Sequence, residues 1–219
     1  MKIEAVIFDM DGVLTDSEPL ICEAAISMFK ELGLVVQPED FIPFVGTGEN
    51  RYLGGVAEKY SFSIHIPSAK ARTYEIYLEL VPSRLHAFPG AQDFVKSCQK
   101  AGLKIAVASS ADPIKIEANL IKIGLPPVQW DAIVSGQDVQ HKKPAPDIFL
   151  AAARKLAVNP DACVVIEDAI NGIQAAKAAG MRCVAVAQTF PASQLSEADI
   201  IRPDIASLNL SDLSERVRS

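Results

Sequence analysis

Two pairs of acidic residues are the part of this sequence best suited to do chemistry. Asp9 and Asp11 follow the apolar run 3–8, and Glu167 and Asp168 end a second apolar run. Aspartates two residues apart on a strand share one face, so their like charges lie close together. A divalent cation would offset that repulsion, because carboxylate oxygens are preferred ligands of hard cations such as Mg²⁺. The two pairs therefore predict one metal site if the two run ends meet.

Each acidic pair also fits a purely structural role. Asp11 and Gly12 could form a turn, and Asp168 could cap the following helix. Lys143 and Ser109 are as ambiguous, because a single lysine usually lies on the solvated surface and a serine after a strand often belongs to a turn. All four features lie at or near predicted strand ends in a set order, and their joint occurrence favours a functional site.

The elements that must position these residues alternate between strand and helix. Short apolar runs are typical of strands buried on both faces of a parallel sheet. Such runs lie at 3–8, 103–109, 131–135, 162–167 and 182–187. Amphipathic helices are predicted at 90–101, 112–123, 145–157 and 169–179. The alternation predicts an α/β fold with a doubly wound, Rossmann-like parallel sheet, in which ligands bind beyond the carboxyl ends of the strands.

The segment 17–86 breaks this alternation, because it contains helical patterns and no convincing buried strand. Its predicted helices span 20–32 and 69–80. We predict that it forms a small all-helical cap domain inserted after the first strand. Residues 1–16 and 87–219 would then form the core domain. The tail 207–219 is predicted to be a short polar helix.

Composition argues against several functional classes. The 219 residues are 49% apolar, enough for a core without disulfides or a structural metal. The net charge of −6 argues against nucleic acid and anionic membranes as partners, since both attract basic surfaces. No apolar run approaches the roughly 20 residues of a membrane helix, and the N-terminus turns acidic too soon for a signal peptide.

The cysteines predict free thiols in a reducing compartment. They are Cys22, Cys98, Cys163 and Cys183. None forms a CxxC pair, and the chain has only three histidines, which argues against a zinc site.

Four stretches of the sequence resemble the motifs of the haloacid dehalogenase (HAD) superfamily. They read DMDGVLTDSEP, VASS, KPAPDIF and VIEDAINGIQAAKAAGM. The resemblance covers essentially the whole chain and extends to the β-phosphoglucomutase-like group, which has a helical cap after the first motif. It implies an Mg²⁺-dependent phosphatase that acts on a small phosphorylated metabolite, such as a sugar phosphate, through an aspartyl-phosphate intermediate. The stretch PFVGTGENRYLGGVA is also similar to a HAD domain of chloroplasts, so the expected compartment is the cytoplasm or the chloroplast stroma. We expect the chain to be a monomer.

The resemblance also implies which residues react and which hold the metal. Asp9 would be the nucleophile, and Asp11 would act first as a general acid and then as a general base. Mg²⁺ would be held by a side-chain oxygen of Asp9, the backbone carbonyl of Asp11 and Asp168. Glu167 would contribute directly or through water.

Other motif residues are expected to bind the phosphoryl group. Lys143 would neutralise the nucleophile and a phosphoryl oxygen. Ser109, Ser110 and the backbone N–H groups of Met10 and Asp11 would hydrogen-bond the remaining oxygens. A fixed cation and fixed donors are what a transferring phosphoryl group needs.

Candidates for contacts with the rest of the substrate lie in the predicted cap. Thr47, Gly48 and Arg51 belong to a Gly-rich stretch that falls where the mutases place a substrate-contacting loop. Arg72 is a second candidate cation on the last cap helix. For both arginines the alternative is a solvated surface position.

Two departures from the mutase pattern favour a phosphatase. Ile21 takes the place of a histidine that helps to gate Asp11 in the mutases. Asp112 stands where a mutase has a lysine for a second phosphate, and we expect it to repel such a group. A β-phosphoglucomutase-like enzyme and a HAD domain retained as a regulatory module remain the alternatives.

Overall fold

A six-stranded parallel sheet forms the centre of the computed structural model, which describes residues 2–214. Its strands are β1 (Ala5–Phe8), β2 (Lys104–Ala108), β3 (Ala132–Val134), β4 (Cys163–Glu167), β5 (Arg182–Val186) and β6 (Ile200–Arg202). Their order, β3-β2-β1-β4-β5-β6, is that of a doubly wound Rossmann-like sheet and confirms the predicted fold class. Strand β6 was not predicted, because it has three half-buried residues and no long apolar run.

Seven α-helices are present in the described part of the chain. They are α1 (Glu18–Glu31), α2 (Glu49–Lys59), α3 (Ile66–Arg84), α4 (Ala91–Lys100), α5 (Pro113–Lys122), α6 (Asp147–Leu156) and α7 (Ile170–Ala178). All six predicted helices before the tail are confirmed to within four residues at each end. The tail is not the predicted α-helix, since its described part has only 3₁₀ turns at Ile205–Ser207 and Leu210–Leu213. Residues 215–219 of that prediction lie outside the described residues.

Helix α2 was not predicted, and its glycines explain why. Gly55 lowers the helical propensity of this segment, yet the packing requires it. A Cβ at Gly55 would lie 2.3 Å from the ring of Phe44. The glycine therefore admits an aromatic ring against the helix, and the local sequence signal is weakened as a result.

The central strand β1 is buried on both faces. Its pairing with β2 and β4 aligns the strand ends that carry the predicted site. Phe8 pairs in register with Val107 of β2 and Ile166 of β4. Its ring packs edge-on against Phe94 and Trp130, with centroid separations of 6.1 and 5.8 Å. Because the three strands are parallel and in register, the residues that follow them emerge at one edge of the sheet.

The segment between β1 and α4 is helical, as predicted, and packs on itself and on the core. Helix α1 packs along α3, and the Tyr77 hydroxyl donates to Asn119 Oδ1 of α5 at 2.8 Å. The chain enters and leaves side by side, with the Asp16 N–H bonded to the His86 carbonyl at 3.2 Å. The division into core and cap domains at residues 16/17 and 86/87 remains a prediction.

Two further sequence expectations concern membranes and disulfides. No α-helix of residues 2–214 is long and apolar enough to cross a bilayer. All four cysteines are free thiols, and three of them are buried.

Asp40 is a buried carboxylate that ties together two parts of the helical segment. It accepts hydrogen bonds from the Gln37 N–H (2.8 Å), the Lys59 ammonium (2.5 Å) and the Tyr60 hydroxyl (2.6 Å). These donors, the Gln37 N–H first among them, lower the pKa of Asp40 to about 2.

Asp40→Asn is expected to lower the free energy of unfolding at pH 7 by about 1–2 kcal/mol, because the amide loses charge-assisted hydrogen bonds. A carboxylate with a lowered folded-state pKa stabilises the protein above its unfolded pKa near 4, and that stability is lost as the pH falls toward 2. Urea unfolding should therefore show a smaller difference between the two proteins at about pH 2.5 than at pH 7. Glu117→Gln, on the exposed side of α5, is the control. An equal difference at both pH values would contradict this account.

Candidate active site

A buried ion network lies at the carboxyl ends of β1 and β4. The Lys143 ammonium is 2.5 Å from Asp9 Oδ1 and 2.6 Å from Glu167 Oε1. The three residues are at most 7% exposed. Burial raises the pKa of Asp9 to about 7, although Lys143 acts in the opposite direction. Burial lowers the pKa of Lys143, but the two carboxylates outweigh it and hold that pKa above its usual range, so the ammonium stays charged.

Three carboxylates of this network could hold a metal ion. Oxygens of Asp9, Glu167 and Asp168 all lie within 4.8 Å of one another. The second oxygen of Glu167 is fixed by the N–H groups of Asp168 and Ala169, each at 2.8 Å. Burial, followed by the neighbouring carboxylates, raises the pKa of Asp168. A buried set of oxygen donors with one nearby ammonium fits Mg²⁺, a hard cation that would offset the remaining negative charge.

Two glycines leave room for these carboxylates. Gly12 has φ +85°, and a Cβ there would lie 1.9 Å from Asp168 Oδ2. A Cβ at Gly172 would lie 1.7 Å from Glu167 Oε1. The turn at Gly12 is predictable from the sequence. The role of Gly172 is not, because its contact with Glu167 forms only when α7 packs beside β4.

Asp11 is held in place by three side chains from different elements. Its Oδ1 accepts a hydrogen bond from the Ser17 hydroxyl and lies 3.0 Å from the Lys115 ammonium. Its Oδ2 accepts a hydrogen bond from the Ser109 hydroxyl at 3.2 Å. The carboxyl group is therefore fixed beside the acidic network without belonging to it.

Unused hydrogen-bond donors surround the same place. Within residues 2–214 the N–H groups of Met10 and Asp11 have no acceptor. The Ser110 hydroxyl is buried and likewise has no partner. Ser109 Oγ accepts from the Ala111 N–H at 3.1 Å, which orients its own proton toward Asp11. The structure thus brings together every core residue that the sequence analysis selected.

Lys115 is a site residue that the sequence analysis missed. It is 3% exposed and lies 3.0 Å from Asp11, 3.6 Å from Glu49 and 5.5 Å from the centre of the Tyr77 ring. A signal was present, because Lys115 shares the buried face of α5 with Asn119. A single lysine on a helix nevertheless resembles a surface residue until the packing of that helix is known.

The expected effect of Asp112 needs correction. The sequence predicts that it repels a distal phosphate of the substrate. Its carboxylate instead pairs with Lys70 at 2.7 Å, and Lys115 of the following helix α5 supplies a cation to the cavity.

The site opens into a cavity of about 590 Å³, counting its open mouth, whose core wall includes Asp9, Asp11, Ser109, Ser110, Lys115, Lys143, Glu167 and Asp168. Glu18, Ile21 and Glu49 lie in its helical wall. Burial raises the pKa of Glu18 to about 7 and also raises that of Glu49, while Lys115 opposes both shifts. Glu49 is 7% exposed, and the Tyr74 hydroxyl acts to lower the pKa of its carboxyl group, but its Oε2 has no hydrogen-bond partner. Neither glutamate was selected from the sequence.

Of the three residues selected from the Gly-rich stretch, only Gly48 reaches the cavity. A Cβ there would lie 3.4 Å from the Ser110 carbonyl, so the stretch approaches the core closely. The Thr47 hydroxyl donates back to the Phe44 carbonyl at 2.6 Å. Arg51 pairs with Glu58 at 2.7 Å on the exposed side of α2. The structure therefore does not bring Thr47 or Arg51 to the cavity.

Arg72 also lies away from the cavity. It is 2.9 Å from both Glu31 and Glu75, on the exposed side of α3. For this arginine, as for Arg51, the structure shows the surface position that the sequence analysis kept as the alternative.

Comparisons with known proteins agree with this geometry. The chain is 50% identical over 217 residues to Protein SUPPRESSOR OF QUENCHING 1, chloroplastic, of Arabidopsis thaliana. The aligned region is 97% of this chain but only 21% of that longer protein. It is 31% identical over 220 residues to hexitol phosphatase B of Escherichia coli, with 97% of each chain covered. The crystal structure of β-phosphoglucomutase from Clostridium difficile superposes with a TM-score of 0.85 at 26% identity, covering 97% of this chain and 96% of that one.

A family model decides the classification. The model for haloacid dehalogenase-like hydrolases matches residues 3–180, which include every core residue of the site. The fold, the aligned strand ends and the relatives lead to the same answer, and the chain belongs to the haloacid dehalogenase-like hydrolases.

Proposed function

We propose that this chain is an Mg²⁺-dependent phosphatase that hydrolyses a small phosphorylated metabolite, of the sugar phosphate class, through an aspartyl-phosphate on Asp9. The observation that carries the proposal is the buried grouping of Asp9 with Lys143, Glu167 and Asp168, next to a separately held Asp11. The similarity to hexitol phosphatase B over 97% of each chain supports the substrate class.

In the first half of the reaction, a carboxylate oxygen of Asp9 attacks phosphorus. The bond from phosphorus to the leaving oxygen breaks, and Asp11 gives its proton to that oxygen. Lys143 holds Asp9 in position, and the free N–H groups of Met10 and Asp11 bind phosphoryl oxygens, which lowers the cost of bringing two anions together.

In the second half, Asp11 takes a proton from water. The water oxygen bonds to phosphorus, the bond from phosphorus to Asp9 breaks, and inorganic phosphate is released. Mg²⁺, held by Asp9, Asp168, the Asp11 carbonyl and Glu167 directly or through water, would supply charge neutralisation and orientation of the phosphoryl oxygens.

We propose further that the chain acts as a monomer in a reducing compartment. Its free thiols support that compartment, and the chloroplast location in the name of the Arabidopsis relative supports the stroma over the cytoplasm.

Asp9→Asn should abolish phosphate release, by about a thousandfold or more, because the amide keeps the shape and removes the nucleophile. Release is measured on a panel of sugar and polyol monophosphates and on an aryl phosphate, with circular dichroism as the check on folding. Asp161→Asn is the matched control, because Asp161 is an exposed carboxylate of the predicted core domain. A rate for Asp9→Asn within about tenfold of wild type would rule out this nucleophile. Absence of release by the wild type from the whole panel would favour a non-catalytic module.

Mg²⁺ should raise the melting temperature of the wild type, because it binds the folded state alone. At a hundred times its dissociation constant the gain is about 2.7 kcal/mol, or roughly 5–10 °C for a chain of this size. Asp168→Asn should lose most of this shift, while Asp161→Asn should keep it. Equal shifts in both variants would show that the cation does not use Asp168. Exhaustive chelation should also stop phosphate release.

A phosphosugar mutase is the runner-up, and the similarity to β-phosphoglucomutase is the observation in its favour. Ile21 lines the cavity and offers no hydrogen bond that could delay Asp11 from activating water. We therefore expect net phosphate release when the protein is incubated with β-glucose 1-phosphate, Mg²⁺ and a trace of glucose 1,6-bisphosphate. Glucose 6-phosphate appearing much faster than inorganic phosphate would replace the phosphatase proposal with the mutase.

A further inference from the structure

The cavity has a second end, lined by Lys115 and Glu49, away from Lys143 and Asp9. The buried Glu49 carboxyl group there has one oxygen, Oε2, without a hydrogen bond. Contacts run in order from Lys143 to Asp9 at one end, and from Asp11 to Lys115 to Glu49 at the other. The last step joins the core helix α5 to the helix α2 of the predicted cap. Glu49 stands in the first turn of α2 and lines the cavity.

The rest of the substrate must extend toward this second end, an inference that rests on the proposed function. The phosphoryl group occupies the end with Asp9 and Lys143, and its leaving oxygen lies beside Asp11, which protonates it. The carbon skeleton attached to that oxygen then lies next to Lys115 and Glu49, because these are the groups beyond Asp11.

The ammonium group at the second end of the cavity already pairs with carboxyl groups. Among the described residues that line the cavity, the cations are Lys143 and Lys115. Lys115 is shared by Asp11 and Glu49, and Glu18 lines the same wall. A second phosphate would enter a region where carboxyl groups outnumber the ammonium group, and like charges in an enclosed site repel strongly.

The unpartnered oxygen of Glu49 calls for a donor. A buried oxygen without a hydrogen bond is costly, and a ligand that supplies the missing bond removes that cost. A hydroxyl group can donate to it, whereas an ionised phosphate offers acceptors only. In either protonation state the Glu49 carboxyl carries no positive charge for a second phosphate.

We infer that Glu49 is a specificity-determining residue, which selects phosphate monoesters whose far end carries hydroxyl groups and rejects esters with a second phosphate there. Glu49 Oε2 accepts a hydrogen bond from a substrate hydroxyl, and Lys115 keeps the Glu49 and Asp11 carboxyl groups apart and oriented.

Binding tests this inference without relying on turnover. In the Asp9→Asn protein with Mg²⁺, calorimetry compares fructose 1-phosphate with fructose 1,6-bisphosphate, and glucose 6-phosphate with glucose 1,6-bisphosphate. The monophosphate of at least one pair should bind about tenfold more tightly than its bisphosphate. Adding Glu49→Gln should bring that ratio within about threefold, since the amide can donate to a phosphate.

Two further variants separate charge from position. Glu58→Gln removes the same charge from the exposed side of α2 and should leave the ratio unchanged. Glu49→Asp keeps the acceptor and should keep the preference for the monophosphate even if the amide variant folds poorly. Tighter binding of the bisphosphates, an unchanged ratio in Glu49→Gln, or binding of no sugar in either pair would overturn the inference. Phosphate release by the wild type is measured separately, so the proposed function can stand or fail independently.

Discussion

One buried ammonium group determines the geometry of this site. Lys143 contacts Asp9, which follows β1, and Glu167, which ends the neighbouring strand β4. Each carboxylate would be costly to bury alone, and the shared ammonium offsets both costs at once. The pairing is possible only because the strands are in register and the loop that carries Lys143 crosses their carboxyl ends. The burial of Asp9 and Glu167 and the position of the proposed nucleophile therefore depend on one arrangement.

In that arrangement three carboxyl groups surround one ammonium group, which favours the binding of a cation. Asp168 joins Asp9 and Glu167 within 4.8 Å, yet Lys143 contacts only the latter two. The space for the third carboxylate is created by Gly12, where any side chain would collide with Asp168. A site that stores uncompensated negative charge under close packing has a strong preference for a small divalent cation. The proposed Mg²⁺ site would thus depend on the same close packing that buries these three carboxylates.

The sequence was sufficient for the sheet and for the motif residues, because both depend on local signals. Apolar runs predicted five strands, and the turn or loop next to a strand carried Asp9, Ser109 and Lys143. Lys115 and Glu49 could not be found in this way. Lys115 is buried against Asp11, the Tyr77 ring of α3 and Glu49 of α2, and no local pattern encodes these contacts. Helix α2 itself was hidden by glycines that serve packing rather than helix formation.

The helical wall joins two properties that are often discussed separately, closure of the site and choice of substrate. Gly48 approaches the Ser110 carbonyl so closely that a Cβ would lie 3.4 Å away, and the next residue is Glu49. The contact between Gly48 and the core therefore also places the Glu49 carboxyl group beside Lys115. If α2 moved away, the cavity would gain water and lose its acceptor together. Selection at the far end of the substrate is then a property of the closed state, in which water is excluded and electrostatic contacts are strongest.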